Sequence, residues 1–333
     1  MKIQISRSII EYEIQMEQLT QLCGVDFEKK WYIIQSLYKY FSGGKYASYE
    51  EQMQDNIRIE GRKVGRKYFS VFHVAARESL INAIRISRSS MMAQYFSNLC
   101  MDFECQNIID EIAEGLERLY LELNRELQSN MKMLEIGYST KSIMEIVQIS
   151  EVFGVGERAL ESLSNVELLD TYLELLWEMQ RRKPEKCLVI FENVDHLLDY
   201  CAYKKFFKKA EQFCKEFDVW FIFSTSIEGF VVVDERSIEG INVVNHCIFS
   251  FPELEQVVKF FQNQYPCQMK WAPEELCGEI RMIIQNIGNE EHTIHLKSNV
   301  LLKLLQETLC IKTSVESGLN SLEKAFLMEK DVI

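Results

Sequence analysis

Residues 186–226 read KCLVIFENVDHLLDYCAYKKFFKKAEQFCKEFDVWFIFSTS. Two runs in this stretch, CLVIF (187–191) and VWFIF (219–223), are apolar at every position. A strand that is apolar on both faces belongs in the centre of a parallel sheet covered by helices. Between them, YKKFFKKAEQFCKEF (203–217) spaces its apolar residues by three and four, as an amphipathic helix does. The fold is therefore expected to be α/β, and the rest of the chain is read outward from this strand–helix–strand core.

Towards the N-terminus, IIEYEIQ (9–15) and MEQLTQLCG (16–24) have strand character, and the second ends at Gly24. FEKKWYIIQSLYKYFSGG (27–44) follows as a helix, with Trp31, Ile34, Leu37, Tyr38 and Phe41 on one face and Gly43-Gly44 as its stop. KYFSVFHVA (67–75) is the next strand, which completes a βαβ unit and implies a parallel sheet with a right-handed crossover. Residues 76–182 read as nearly all helix. Ile109, Ile112, Leu116, Leu119, Leu123 and Leu127 make an apolar seam, and NVELLDTYLELLWEMQRR (165–182) is the partner expected to pack on it. Strand character appears once more in HCIFSF (246–251), and from 253 the chain is again helical. The expected organisation is a discontinuous α/β head (1–80 and 183–252), an inserted helical leg (81–182) and a helical C-terminal extension (253–333).

Composition bounds the function. The 333 residues carry 37 Lys+Arg against 50 Asp+Glu, a net charge of −13, with 47% hydrophobic residues. That apolar content excludes a disordered chain. The 14 Gly and 4 Pro favour long helices over a turn-rich fold. MKIQISRSIIEYEIQ turns charged before it could be a signal peptide, and no run reaches the roughly 20 apolar residues of a spanning helix. Ten scattered cysteines without a CxxC pair read as buried free thiols, and a cytoplasmic location without membrane contact is expected.

Glu192 and Asp195 stand at the carboxyl end of a strand, where a P-loop nucleoside triphosphatase holds Mg²⁺. That fold also needs G-x-x-x-x-G-K-[ST], whose amides cradle phosphate. The corresponding turn here is Cys23-Gly24-Val25-Asp26-Phe27-Glu28-Lys29-Lys30, with one glycine and two acids that repel phosphate. No ATP is expected to bind, and Glu192 and Asp195 are read as bonding nearby amides or capping a helix. Ser224-Thr225-Ser226 lacks a nucleophile elbow and His196 reads as a helix-start residue.

Charge is segregated along the chain. Arg58, Arg62, Lys63, Arg66, Lys67, Arg77, Arg85 and Arg88 form one basic stretch, opposed by Glu60 and Glu78. Lys204, Lys205, Lys208 and Lys209 share one helical face. Such clusters are either solvated surface or a phosphate-tracking surface for duplex DNA. Residues 102–135 are strongly acidic, either the wet side of a long helix or a source of oxygen ligands for calcium.

Three segments together resemble a known family. They are QLTQLCGVDFEKKWYIIQSLY (18–38), SIMEIVQISEVFGVGERALESL (142–163) and EKCLVIFENVDHLLDYCAYKKFFKKAEQFCKEFDVWFIFST (185–225). Their order and pattern are similar to the accessory adaptation protein of type II-A CRISPR–Cas systems, the Csn-two family. The resemblance covers about 1–250, and the region from 253 suggests a long variant. It implies a P-loop-NTPase-like parallel-sheet head with a degenerate nucleotide site, and a homotetrameric ring that binds double-stranded DNA ends through a basic hole. It further implies Ca²⁺, a non-catalytic role in spacer acquisition, and work beside the integrase proteins and the effector nuclease. The twelve basic residues named above are the DNA-contact set on that reading, and Glu117, Glu122 and Glu126 the calcium ligands. The alternatives are a P-loop-like ATPase using Glu192 and Asp195, and a scaffold whose leg seam binds a helical partner.

Overall fold

A computed structural model describes residues 1–87, 89–130, 136, 150–265, 272–288 and 296–311. The chain divides into two compact units, one of residues 1–76 with 185–333 and the other of 77–184.

The first unit is built on two sheets. Lys2–Arg7 (β1), Ile10–Gln15 (β2), Ile57–Ile59 (β4) and Arg62–Lys63 (β5) form a four-stranded sheet in the order β2-β1-β4-β5, antiparallel throughout. Leu19–Cys23 (β3), Ser70–Val74 (β6), Cys187–Phe191 (β7), Val219–Ser224 (β8), Ile241–Val244 (β9) and Ile248–Ser250 (β10) form a six-stranded one. Its order is β10-β9-β3-β8-β7-β6, parallel except for the edge pair β9–β10. The architecture is thus mixed α/β with a parallel centre. CLVIF and VWFIF are adjacent interior strands and pair in register from Cys187 with Val219 to Phe191 with Phe223.

The two faces of the large sheet meet different partners, and the strand alternation decides which residues go where. Phe191, Phe221 and Phe223 face the helix Tyr200–Glu216. Phe191 meets Phe206 edge-on at 5.2 Å, and Phe221 meets Phe213 at 5.9 Å. The intervening Leu188, Ile190 and Ile222 face the other way. They share a core with the helix Phe27–Ser42 (α1) and with Ile3, Ile5, Ile14, Ile57 and Ile59 of the four-stranded sheet. Because α1 lies against both sheets, it buries Ile33, Tyr32 and Tyr40 as well as Ile34, Leu37 and Phe41. Trp31, expected on the apolar face, is 43% exposed. Asp26 caps the start of α1 and Gly43, at φ 66°, ends it.

Three features differ from the sequence reading. It names no strand at β1, at the hairpin β4–β5 or at INVV (241–244). Of the two strand-like runs before α1, β2 belongs to the small sheet and β3 to the large one. In addition β3 and β6, the strands flanking α1, are separated in the sheet by β8 and β7.

The helices beyond residue 253 join this unit. Leu254–Gln264, Pro273–Ile283 and Leu296–Thr308 bury Leu254, Val257, Phe261, Ile280, Ile283, Leu301 and Leu305 in one cluster with Ile241 and Val243 of β9. Asn245 binds the two ends together. Its Oδ1 accepts from the Val25 amide at 2.7 Å, and its Nδ2 donates to the carbonyls of Gln285 and Ile287 at 2.8 and 2.6 Å.

The second unit holds Arg77–Ile84 (α2), Met91–Leu99 (α3), Phe103–Asn130 (α4) and Asn165–Arg182 (α5). A capping box of Ser164 and Glu167 starts α5, with Ser164 Oγ accepting from the Glu167 amide at 3.2 Å. The buried face of α5, Leu168, Leu169, Tyr172, Leu175 and Leu176, packs mainly on α2 and α3 rather than on α4. On α4 the expected seam is open, with Ile112, Leu119 and Leu123 exposed. Nine described cysteines are free thiols, and three of them, Cys23, Cys187 and Cys214, are buried; Cys201, Cys247 and Cys310 are exposed, against the expectation. Among the described residues no helix is long and apolar enough to cross a membrane.

Candidate functional site

The carboxyl end of the parallel strands is where ligands bind in open α/β sheets, and here it is closed by the chain's own groups. After β3 the backbone turns through Gly24 at φ +103°. A Cβ at this position would lie 2.4 Å from the Val244 carbonyl oxygen, so the glycine serves the close approach of β9. The N-terminus of α1, the place for a phosphate, is taken by the Asp26 carboxylate, which accepts from the Lys29 amide at 2.9 Å. Burial raises the pKa of that carboxyl, but the Lys29 amide and ammonium outweigh the effect and hold it below the usual range.

Lys30 fills the remaining space. Its side chain is 2% exposed, and Nζ donates to the carbonyls of Gly24 at 2.8 Å and Thr225 at 2.6 Å. The ammonium also lies 4.6 Å from the centre of the Phe27 ring. Burial pushes its pKa below the ordinary lysine value, partly offset by Cys23, Asp195 and Asp26. A lysine that neutralises phosphate reaches outward; this one is directed into the protein.

Asp195 is 8% exposed and works as a clamp. Its Oδ2 accepts from the Ser226 amide at 2.7 Å, the Ser226 hydroxyl at 2.6 Å and the Ile227 amide at 2.7 Å. The bond to nearby amides is the one expected from the sequence. The structure adds His196, whose Nε2 is 3.1 Å from Ser226 Oγ. Aspartate, serine and histidine are therefore together, but the order is wrong for a nucleophile. The serine proton is turned to the carboxylate, and the two amides that could stabilise an oxyanion are occupied by it. No signal in the sequence marked this trio, because Ser226 comes from a different strand end. Glu192 is likewise engaged, 2.9 Å from His73 Nε2, and the His73 ring lies 4.8 Å from that of Tyr38.

The basic residues fall into three places. For the helix Tyr200–Glu216 (α6), Asp199 caps the N-terminus, accepting from the Ala202 amide at 2.8 Å. Its inward face is Tyr203, Phe206, Phe207, Ala210 and Phe213, which leaves Lys204, Lys205, Lys208 and Lys209 exposed together on the outer face. Among the described residues Lys204, Lys205 and Lys208 make no ion pair, the nearest acid on the helix, Glu211, being held by Lys215 and Arg236. Arg58, Arg62, Lys63, Arg66 and Lys67 are exposed on the hairpin β4–β5 and the loop after it. Asp55 reaches two of them loosely, Lys63 at 3.6 Å and Arg66 at 3.8 Å. In the other unit, Arg77 donates to Asn165 Oδ1 and to the carbonyls of Glu161 and Leu163, and Arg85 pairs with Glu161. Those two arginines tie α2 to the segment before α5. Arg88 lies outside the described residues.

The acids chosen as calcium ligands are all exposed on α4. Glu117 and Glu122 are five residues apart, about 140° around a helix at 3.6 residues per turn, so they point different ways. Glu122 is also paired with Arg125 at 2.9 Å. Among the described residues no three His, Cys, Asp or Glu come together as a metal site. Within one chain these three glutamates do not fit a calcium ion.

Comparison with known proteins now adds to this geometry. The model for the CRISPR-associated protein Csn2, subfamily St, matches residues 6–306. The chain belongs to this family. The match includes the helices beyond 253, the region that the sequence reading assigned to a long variant. The crystal structure of Stu0660 of Streptococcus thermophilus is similar over 98% of both chains, with a TM-score of 0.86 at 18% identity. At that identity the likeness concerns the fold. No curated protein sequence matches. The Csn2 membership gives the chain a CRISPR-associated role.

Proposed function

We propose that this Csn2 protein binds duplex DNA without reading its sequence, as a homotetrameric ring serving CRISPR spacer acquisition, and catalyses no reaction itself. The integrase proteins and the effector nuclease are its partners in that reading. We also read the head as a relative of P-loop nucleoside triphosphatases whose phosphate end has been taken over by Asp26 and Lys30. The observation that carries the DNA reading is the outer face of α6, where four lysines stand at i, i+1, i+4 and i+5 on a helix anchored by buried aromatics. Such a face neutralises phosphates as a row of point charges and contains no group that distinguishes base edges. The ATPase alternative loses support, because the cradle, the helix N-terminus and the acid it needs are all engaged inside the protein.

The test is the salt dependence of duplex binding. Lys204→Ala/Lys205→Ala/Lys208→Ala/Lys209→Ala removes four cations, which should flatten the slope of log K against log[salt] by about 3.6, at roughly 0.9 per phosphate contact. Mobility shifts on a linear duplex between 50 and 200 mM salt read it. An unchanged slope removes α6 from the interface. Equal retention of linear and closed circular DNA, or a monomeric mass, counts against the ring.

A further inference from the structure

The two basic clusters of the head do not share a face. α6 lies on the Phe191–Phe221–Phe223 side of the large sheet, and its lysines point away from that sheet. The hairpin β4–β5 belongs to the small sheet, which packs with α1 on the Leu188–Ile190–Ile222 side. Arg58 alternates with the buried Ile57 and Ile59, so it projects from the outer surface of that small sheet. Between α6 and the outer surface of the small sheet lie the large sheet and the core it shares with α1 and the small sheet. A duplex lying along α6 is therefore screened from the hairpin of the same copy by the whole core.

We propose that the β4–β5 hairpin is a second, independent duplex-DNA contact, so that one copy of the protein holds two DNA segments on opposite sides of its head. The proposal rests on the DNA-binding reading of α6 and extends it. Three observations support it. Arg58 stands directly opposite Lys63 in the strand register, an arrangement of like charges that disfavours the pairing and that Asp55 offsets only loosely, at 3.6 Å from Lys63. The turn between the strands has both central residues at positive φ, Glu60 at 49° and Gly61 at 72°, the tight hairpin form, so the cations are presented on a stiff support. The segment Arg58–Lys67 carries five cations against one acid, Glu60, a density of positive charge suited to neutralising phosphates.

A capture assay decides. A short duplex is fixed on beads, the full-length protein is added, and a second, fluorescent duplex of the same sequence is offered at low salt. The wild-type protein should retain the second duplex. Arg62→Glu/Lys63→Glu/Lys67→Glu should still bind the fixed duplex through α6 but retain at least tenfold less of the second. Lys204→Glu/Lys205→Glu/Lys208→Glu should show the same pattern through the hairpin. Retention unchanged in the hairpin variant overturns the proposal, since bridging would then come from copies of the α6 face alone. A wild-type protein that does not bind the fixed duplex at all overturns the DNA reading itself. All six positions are exposed, and an unchanged melting temperature shows that each variant is folded. Should a triple reversal melt early, Arg62→Ala/Lys63→Ala is the substitute, read by the same ratio of second to first duplex.

Discussion

Asp195→Ala offers the sharpest test of how the head is held together. One carboxylate oxygen, Oδ2, accepts three hydrogen bonds at 2.6–2.7 Å, two of them from the backbone amides of Ser226 and Ile227. The serine hydroxyl can rotate to another partner, whereas the amides are fixed by the chain leaving β8. An amide left without an acceptor costs about 1–3 kcal/mol where water cannot reach it. Removing the charge also takes away an anion that favours the buried ammonium of Lys30. Ile227 is 51% exposed and Ser226 half-buried, so water recovers part of that cost and the loss comes to about 2 kcal/mol. For a unit of this size about 2–4 °C is lost per kcal/mol, so melting should fall by roughly 4–8 °C. Asp195→Asn keeps an oxygen in place and should lose about half as much. Urea denaturation followed by circular dichroism, with a thermal melt beside it, gives both numbers. A loss under about 1 kcal/mol for the alanine variant refutes the clamp. So does a loss that appears only when Mg-ATP is present, since that would return Asp195 to a metal-binding role.

Two further substitutions probe the same end of the sheet. Lys30→Met keeps the stem and deletes the ammonium, leaving the Gly24 and Thr225 carbonyls without a donor; a loss of about 2–3 kcal/mol is expected at neutral pH. Because folding depresses the Lys30 pKa, the native state binds fewer protons than the unfolded one between that depressed value and 10.5. Wild-type stability therefore gains from this group as pH rises through that window. The gap between wild type and Lys30→Met should widen from pH 8 to pH 10, and a gap that narrows contradicts the assignment. Gly24→Ala meets both a positive φ and a carbonyl oxygen 2.4 Å from the new carbon, so a loss of about 3 kcal/mol or more is expected in urea titrations.

Much of this was legible in the residues. The run of apolar positions in CLVIF and VWFIF placed two adjacent interior strands, and the acids of Cys23–Lys30 marked the turn where Asp26 caps α1. What stayed hidden depended on contacts distant in sequence. Trp31 and Ile33 exchange their expected places because α1 is covered from two sides, and a single-face periodicity cannot report two neighbours. INVV is short and lies next to polar residues, so nothing in it outweighs its surroundings. The opposition of the two basic clusters is invisible in a linear charge map, since it follows from which sheet each strand joins. Glu117 and Glu122 of α4 point different ways for a simpler reason, the angle between positions five residues apart.

The inward ammonium of Lys30 has a consequence for the protein's life in a cell. A nucleotide-binding head owes part of its stability to its ligand, in the amount RT ln(1 + [L]/Kd), and so becomes less stable when that ligand is depleted. A head whose corresponding positions are filled by its own ammonium and carbonyls has no such term at that place. On the reading proposed above, its stability does not follow the nucleotide supply of the cell.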